Sequence, residues 1–418
     1  MAGSAPFGGA GEALSSRNFR YYWMGNALSI LGFWLHKLAL GVFTWELTES
    51  PFWLGAIGFA ALFPAFILSP YAGAVADRFG MRRVSSLALL VGAAAALGLW
   101  GFVLSGGTDI AIVFALTIVQ GVSLAFDLPA RQGLVPTLVA RSNLSSAIAL
   151  NTTTFHMGAF VGPALFGVIV KIADLQWAFL MNSVSFVLFF FCLQALDIEE
   201  RGRTGARDED DLAGSITADI VDGFRYVRRH PGMKALFIIA ILPHLFVRPF
   251  IDLLPGFSAD VFGRGEEGVA VLAGSFGLGS FLFGVYLALR GKTAGLSRMN
   301  VLAIFSGIVL LFAFAATDIF WFAVSCLFFL GMSNIGFAVS NQSLLQNAVD
   351  PVRRGRVISL STGLAVGLPA VGALILGTLA ETSGLQVPVM GAMVIAVLYW
   401  AWASRKLLNE RDDLERID

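Results

Sequence analysis

The chain has 418 residues, of which 57% are hydrophobic and 13% are charged, and its formal net charge is zero. A soluble domain carries about 25% charged residues, so this composition excludes an ordinary soluble protein and indicates a chain that lies mostly in the lipid bilayer. The two cysteines, Cys192 and Cys326, lie far apart in apolar runs. We therefore expect neither a disulfide framework nor a metal site.

Apolar runs long enough for a membrane-spanning helix, ~20 residues, recur along the whole chain. Most lysines and arginines fall in the polar segments on one side of these runs, and short acidic turns fall on the other. By the positive-inside rule, both termini are cytoplasmic. Twelve spans are predicted, starting near Tyr21, Phe52, Val84, Ile110, Ser145, Trp177, Met233, Gly268, Met299, Ile319, Val357 and Val387.

The polar segments divide the chain into five parts. We predict a flexible N-terminal tail over residues 1–16, a six-helix bundle over 17–196, a cytoplasmic linker over 197–232, a second six-helix bundle over 233–405 and a cytoplasmic tail over 406–418. The linker begins with a charge run typical of a solvated segment. Its second part has an apolar helical face that indicates an amphipathic helix on the inner membrane surface, formed by Ile216, Ile220, Phe224 and Val227.

The two bundles are related by an internal repeat. Residues Gln132–Gly167 align without a gap with Gln342–Gly377 at an offset of 210, and an offset of 211 brings Lys37 onto Arg248. Repeated six-helix halves are typical of secondary transporters, whose substrate sites lie near the bilayer midplane. The predicted fold is therefore an all-α membrane protein with twelve transmembrane helices in two pseudo-symmetric six-helix bundles.

The turn between spans 2 and 3 reads GAVADRFGMRRV over residues 73–84. Its arginines hold the turn inside, but an anchor of that kind needs neither the acid nor its spacing from the two glycines. We interpret the turn as a cytoplasmic gate, with a simple topology anchor as the alternative. The predicted gate residues are Gly73, Asp77, Arg78, Gly80, Arg82 and Arg83, joined by the i,i+4 pair Asp127 and Arg131, which is otherwise only a solvated pair.

This turn resembles the loop signature of the major facilitator superfamily, with Met81 as an added residue. Other stretches resemble the enterobactin-exporter-like and macrolide-efflux-like branch, among them LTESP at 47–51, DGFRYVRRHP at 222–231 and RRGRV at 353–357. The resemblance covers essentially the whole chain and implies alternating access by two six-helix bundles, with efflux more frequent than uptake. Thr117 stands where many proton-coupled members carry an arginine, which weakens proton coupling by that route.

Span 5 resembles the antiporter signature of the same superfamily, with Phe166 in place of one glycine. Small residues at this spacing allow close helix packing, and proline permits a bend. The resemblance implies export, and ordinary helix packing is an equally weighted interpretation. The residues that carry the motif are Gly158, Gly162, Pro163 and Gly167.

Four ionisable residues inside predicted spans 1 and 7 are our candidates for substrate binding and coupling: Lys37, His244, Arg248 and Asp252. Such groups cost at least ~2.5 kcal/mol each at membrane depth and normally face a cavity or a partner. We expect Lys37 and Arg248 to attract an anionic or polar-headed substrate, and Asp252 to pair with them when the outer side closes. The alternative is a fixed i,i+4 pair of Arg248 and Asp252 with Lys37 reaching the interface.

Further candidate cavity residues are Asn151, His156 and Asn334. The sequence has no Walker loop and no HExxH or GxSxG motif, which excludes ATP as the direct driver and argues against an enzyme. We expect a secondary active transporter of the bacterial inner membrane that exports a small amphipathic molecule, anionic, siderophore-like or drug-like, by proton antiport. The alternatives are an importer, a lipid-type carrier or a transport-inactive sensor. The expected partners are a small-molecule substrate and lipids, without nucleic acid, cofactor or second subunit.

Overall fold

The computed structural model describes residues 8–198, 221–290, 295–350 and 353–415, and every regular element in these ranges is helical. Twelve helices are long and apolar enough to span a membrane, and each starts within about one turn of its predicted position. Spans 1 to 6 are Arg17–Thr48, Pro51–Phe79, Met81–Leu104, Ile110–Leu138, Leu144–Ile172 and Gln176–Gln194. Spans 7 to 12 are Pro231–Val261, Gly265–Arg290, Leu296–Ala315, Phe320–Ala348, Arg354–Ser383 and Gln386–Asn409.

The chain forms two compact units. The first contains Met1–Phe43 and Pro64–Asp208, and the second contains Thr44–Phe63 and Glu209–Asp418. The predicted bundle boundary runs through the linker, whereas here the last turns of span 1 and the first half of span 2 group with the second half of the chain. The turn between spans 1 and 2 is therefore part of the second unit.

The N-terminal segment differs from the flexible tail predicted for residues 1–16. Gly8–Ser15 is a short helix, and Ala13 is fully buried against the cluster that contains Phe19 and Tyr22. The Ser16 hydroxyl donates a hydrogen bond of 2.6 Å to the carbonyl of Leu138 at the end of span 4. The segment packs because its small side chains allow the helix to approach the bundle closely.

The linker helix over residues 221–229 is attached to the start of span 11. Arg356 donates a 2.6 Å hydrogen bond to Asp222, and Arg353 lies 3.5 Å from the same carboxylate. The hydrogen bond from Arg356 holds the pKa of Asp222 below its ordinary value. Two stretches that resemble one transporter branch thus contact each other. Of the predicted amphipathic face, Val227 is buried and Phe224 is exposed, while Ile216 and Ile220 lie outside the described residues.

The predicted cytoplasmic tail is also partly folded. Span 12 continues to Asn409, and a short helix, Arg411–Leu414, follows it. The carboxylate of Glu415 accepts backbone hydrogen bonds from Ser297 at 2.8 Å and Gly295 at 3.1 Å. Partial burial raises the pKa of Glu415, but these amide donors outweigh it and the pKa is lowered. The last described residue therefore caps the N-terminus of span 9.

Span 7 is interrupted, as is expected of a helix with internal prolines at Pro243, Pro249 and Pro255. Helical segments Pro231–Leu242 and Phe250–Gly256 alternate with π-helical turns at Pro243–Val247 and Phe257–Val261. Pro249 has no N–H to donate to the carbonyl of Leu245. Gly372 of span 11 packs directly onto that carbonyl, which a Cβ atom would overlap.

Spans 8 and 10 cross at a point where two glycines remove the side chains. A Cβ added to Gly331 would overlap the carbonyl of Phe276, and one added to Gly279 would overlap the carbonyl of Phe328. Ser280 donates a 3.0 Å hydrogen bond to the carbonyl of Gly331 at the same crossing. Backbone-to-backbone packing of this kind replaces the hydrophobic effect as the main attraction between helices in lipid.

We predict that Gly331→Ala lowers the thermal unfolding midpoint in detergent, because the added methyl group overpacks the crossing by about 1–3 kcal/mol. Gly391→Ala is the matched control in span 12, where a Cβ meets no described atom within 4 Å. It should leave the midpoint unchanged or raise it, since alanine is favoured over glycine in helices by up to ~1 kcal/mol. Equal midpoints for the two variants would contradict the crossing.

Candidate functional site

A buried polar network links spans 1, 3 and 4 in the first unit. Arg131 forms an ion pair with Asp127 one turn earlier and donates a 2.9 Å hydrogen bond to the side-chain oxygen of Asn26. Asp127 also accepts a 2.6 Å hydrogen bond from Ser85. The guanidinium stacks over Phe189 with its carbon 4.6 Å from the ring centre. The network satisfies both charges inside the bundle.

The interpretation of Asp127 and Arg131 as a solvated pair does not fit this environment. Asp127 is 5% exposed, and among the described residues no hydrogen bond or ion pair joins either residue to Asp77. Asp77 and Arg78 lie exposed at the end of span 2. The buried pair is therefore a link between helices of one unit. A role in gating stays a prediction.

The turn at 73–84 has the sharp bend that its second glycine predicts. Gly80 adopts φ 96°, a conformation that strains other residues, and Arg82 donates a 3.1 Å hydrogen bond to the carbonyl of Leu196. Met81 packs against Gly133 of span 4. Gly73 takes part in no close helix approach, because a Cβ there would meet no described atom within 4 Å. Arg83 is exposed.

The glycines of span 5 pack against span 1. A Cβ at Gly158 would overlap Ile30, and one at Gly162 would overlap Trp34. Pro163 is buried beside them, whereas Gly167 is half-buried. These contacts explain the motif as a helix-packing motif. None of them supports the predicted connection between the motif and export.

The polar residues at the start of span 5 face different surroundings. Asn151 accepts a hydrogen bond of 3.4 Å from Asn26 and so extends the buried network, while His156 is half-buried beside Phe155. In span 1, Lys37 is half-buried. The neighbouring His36, which the sequence analysis did not select, is 4% exposed and packs edge-on against Phe179, with 5.0 Å between ring centres. In the sequence, only the position of His36 inside an apolar span could have marked it as a candidate.

Arg248 and Asp252 lie at mid-length of span 7 in the second unit. The Arg248 side chain is exposed. It interacts electrostatically with Asp252 and His244. The Asp252 carboxyl group packs against Gly58 of span 2, where an added Cβ would lie 3.1 Å from its carboxyl carbon. Asp252 is therefore the link between the Arg248 cation and span 2.

His244 lies in the π-helical turn at 243–247 and is buried, whereas Arg248 is exposed. His244 is buried, with its ring 5.5 Å from that of Phe337 in span 10. It lines a small cavity together with Asn341 and Ser361. Asn334, the remaining candidate, is half-buried two turns before Asn341.

A carboxylate of span 11 caps the start of span 2, and the sequence analysis missed it. Glu381 accepts a 2.8 Å hydrogen bond from the hydroxyl of Ser50 and a 3.1 Å bond from the amide of Phe52. Gly55 and Gly377 face each other one turn away, with 3.0 Å between an added Cβ at Gly377 and the Cα of Gly55. Span 2 is thus held to spans 7 and 11 by glycine contacts, an N-terminal cap and Asp252.

Comparison with known proteins assigns this arrangement to a class. The chain is 23% identical over 397 residues to the staphyloferrin A transporter of Staphylococcus aureus (strain NCTC 8325 / PS 47), a match that covers 93% of this chain and 96% of that protein. It is 22% identical over 378 residues to macrolide efflux protein A of Streptococcus pyogenes, covering 88% and 91%. The crystal structure of the nucleoside transporter NupG shares the fold, with a TM-score of 0.71, 14% identity and coverage of 93% and 99%.

Twelve spanning helices and these similarities define a multi-pass membrane transporter of the major facilitator superfamily, and not an enzyme. Within that class, the family model described as transmembrane secretion effector matches residues 9–417. The chain belongs to this family.

We predict that Arg131→Gln destabilises the protein strongly, because Asp127 then stays buried without its cation, at a cost of about 3–5 kcal/mol. The double variant Asp127→Asn/Arg131→Gln should regain part of the loss. Arg141→Gln, at an exposed position, is the matched control. Thermal unfolding in detergent measures all three, and an Arg131→Gln midpoint equal to that of the control would contradict the network.

Proposed function

We propose that this transporter exports a small amphipathic anion from the cytoplasm by alternating access, in exchange for protons. It works as a single chain in the inner membrane of a bacterium, with both termini in the cytoplasm and no cofactor besides the proton gradient. The observation that carries the proposal is the accessible Arg248 cation at mid-span, beside an acid that packs against span 2.

An accessible cation at this depth favours an anionic substrate. A charge facing hydrocarbon costs at least ~2.5 kcal/mol, whereas one facing a water-filled path does not. Arg248 is such a group in the second half, and Lys37 is its repeat counterpart in the first. The guanidinium binds carboxylates and similar anions with two parallel hydrogen bonds.

Proton coupling follows from the position of Asp252. When a substrate anion binds Arg248, it displaces the carboxylate of Asp252, and an unpaired carboxylate is costly to keep packed against Gly58. Span 2 then separates from span 7 and the outer side opens. Protonation from outside makes Asp252 neutral, so that the contact with Gly58 forms again without a buried charge. On the inner side Asp252 releases this proton when it pairs with Arg248 again, so that one proton enters for each anion that leaves, which is antiport.

The relatives support export and leave the substrate open. One is named a macrolide efflux protein and another a staphyloferrin A transporter. The second name gives no direction. Export is therefore proposed from the efflux protein and from the span 5 motif together.

We predict that anions stabilise the purified protein against thermal unfolding more than cations or neutral compounds of similar size. At about 100 times its dissociation constant, a ligand adds ~2.7 kcal/mol of stability. Arg248→Gln should abolish the gain because it removes the cation. Arg264→Gln is the control, since that guanidinium stacks on Phe320. Stabilisation by cations alone would reject an anionic substrate and favour multidrug efflux.

We predict that Asp252→Asn uncouples transport from protons. In proteoliposomes loaded with a transported anion, one proton per molecule sustains about a tenfold concentration ratio per unit of pH difference. The variant should equilibrate the anion without this ratio, because asparagine resembles the neutral acid at all pH values. Asp318→Asn, which alters only an acid bonded to Gln386, should behave as wild type. A pH-driven ratio retained by Asp252→Asn would contradict the coupling role.

A further inference from the structure

The internal repeat relates the buried network of the first unit to the cavity of the second. The offset of 210 that aligns spans 4 and 5 with spans 10 and 11 places Asn341 at the position of Arg131, and Ser361 at that of Asn151. The offset of 211 places Phe237 of span 7 at the position of Asn26. The three first-unit residues are bonded to one another through Asn26.

The two units use this position differently. In the first, the long Arg131 side chain fills the space between spans 1 and 4 with its guanidinium. In the second, the shorter Asn341 leaves a cavity, lined also by Phe237, Ser361 and His244, with room for roughly one water-sized group. The cavity is thus the repeat counterpart of an occupied guanidinium position.

The cavity contains an acceptor that needs a donor. Asn341 is 7% exposed, and its side-chain oxygen is buried and receives no hydrogen bond from any residue that the structure describes. Leaving such an acceptor unsatisfied costs as much as a lost hydrogen bond. The hydroxyl of Ser361 lies on the same cavity wall and can both donate and accept.

The residues that line the cavity favour a neutral hydrogen-bond donor. The counterpart of Asp127, which neutralises Arg131, is Phe337 at the offset of 210. None of the described residues that line the cavity is acidic, so an ammonium or guanidinium group would be buried without a counter-charge. A hydroxyl group matches better, because it donates to Asn341 and accepts from Ser361.

We propose that this cavity is a subsite for one hydroxyl group of the transported molecule. This subsite proposal rests on the proposed function, because it takes the ligand to be the transported molecule. It does not depend on the charge of that molecule. The substrate class becomes a hydroxyl-bearing amphipath, held by Arg248 through its anionic group and by Asn341 through its hydroxyl. Asn341 and Ser361 are then specificity-determining residues.

Two matched pairs of probes test the subsite on the purified full-length chain by ligand-dependent thermal unfolding. The anionic pair is 2,3-dihydroxybenzoate and 2,3-dimethoxybenzoate, and the neutral pair is catechol and 1,2-dimethoxybenzene. In each pair the hydroxyl compound should bind about tenfold more tightly. Equal binding within both pairs, or binding of none of the four, overturns the proposal. A hydroxyl preference without any advantage of the anions retains the subsite and rejects the anionic substrate of the proposed function.

Substitutions in the cavity test whether the preference for the hydroxyl compounds arises there. Asn341→Leu and Ser361→Ala should each reduce the affinity ratio of the hydroxyl to the methoxy compound towards one. Because both compounds of a pair are compared on the same variant, this ratio does not depend on the overall stability of the variant. Ser359→Ala is the matched control, since that hydroxyl bonds to the carbonyl of Arg356 in its own helix at 2.8 Å and should keep the ratio. A ratio unchanged in both cavity variants overturns the assignment to this cavity.

The repeat supplies a second, independent variant. Phe337→Asp with Asn341→Arg transfers the first-unit ion pair into the second unit and fills the cavity. The double variant should fold, whereas Asn341→Arg alone should unfold at a lower temperature because its cation has no partner. A folded double variant that retains the tenfold hydroxyl preference would show that the hydroxyl binds elsewhere.

Discussion

A charged side chain at the depth of the hydrocarbon layer must be paired or reach water, and the two halves of this transporter meet that requirement in different ways. In the first unit, Arg131 and Asp127 neutralise each other within a set of hydrogen bonds between helices. In the second, the Arg248 cation remains accessible and its acid is only half-buried. The first arrangement stabilises a bundle, whereas the second leaves a charge available to a ligand.

The accessible arrangement of the second unit is joined to span 2. Asp252 packs on Gly58, Gly55 faces Gly377, and Glu381 caps the helix at its start. These particular contacts are polar or backbone-to-backbone, and they lie beside the buried side chains of Leu54 and Ile57 in the same helix. Contacts of this kind separate at low cost, because water can replace the hydrogen bonds. The Arg248–Asp252 pair is thus placed where a change of charge alters how firmly span 2 is held.

Much of the fold follows from local properties of the sequence. Each span begins within about a turn of its predicted start, because the length and apolarity of a run depend on neighbouring residues alone. The interruption of span 7 follows from Pro243 and Pro249, and the bend at Gly80 from its position between two spans. The repeat, visible as an offset in the sequence, reappears as related positions in the two units.

The parts that sequence reasoning missed depend on which neighbour a side chain meets. His244 lies in a π-helical turn that ends just before Arg248. A regular helical period does not anticipate such a turn. The linker helix turns Val227 inward because Asp222 is bonded to Arg356 at the start of span 11. Glu381 lies over 300 residues from Ser50, and its cap is a tertiary contact. The cavity beside Asn341 is defined by the absence of a longer side chain, which a single residue identity does not reveal.

The central claim is that substrate binding at Arg248 releases Asp252 and changes its affinity for protons. The most direct test is to measure proton exchange in weakly buffered detergent solution when a stabilising anion is added to the purified protein. The account predicts net proton uptake on binding, because Asp252 loses the cation that favours its ionised form, and it predicts that Asp252→Asn abolishes this uptake. Proton release on binding would show that Asp252 does not lose a cationic partner, and an identical exchange in Asp252→Asn would exclude this residue as the coupling group. Either result would contradict the account.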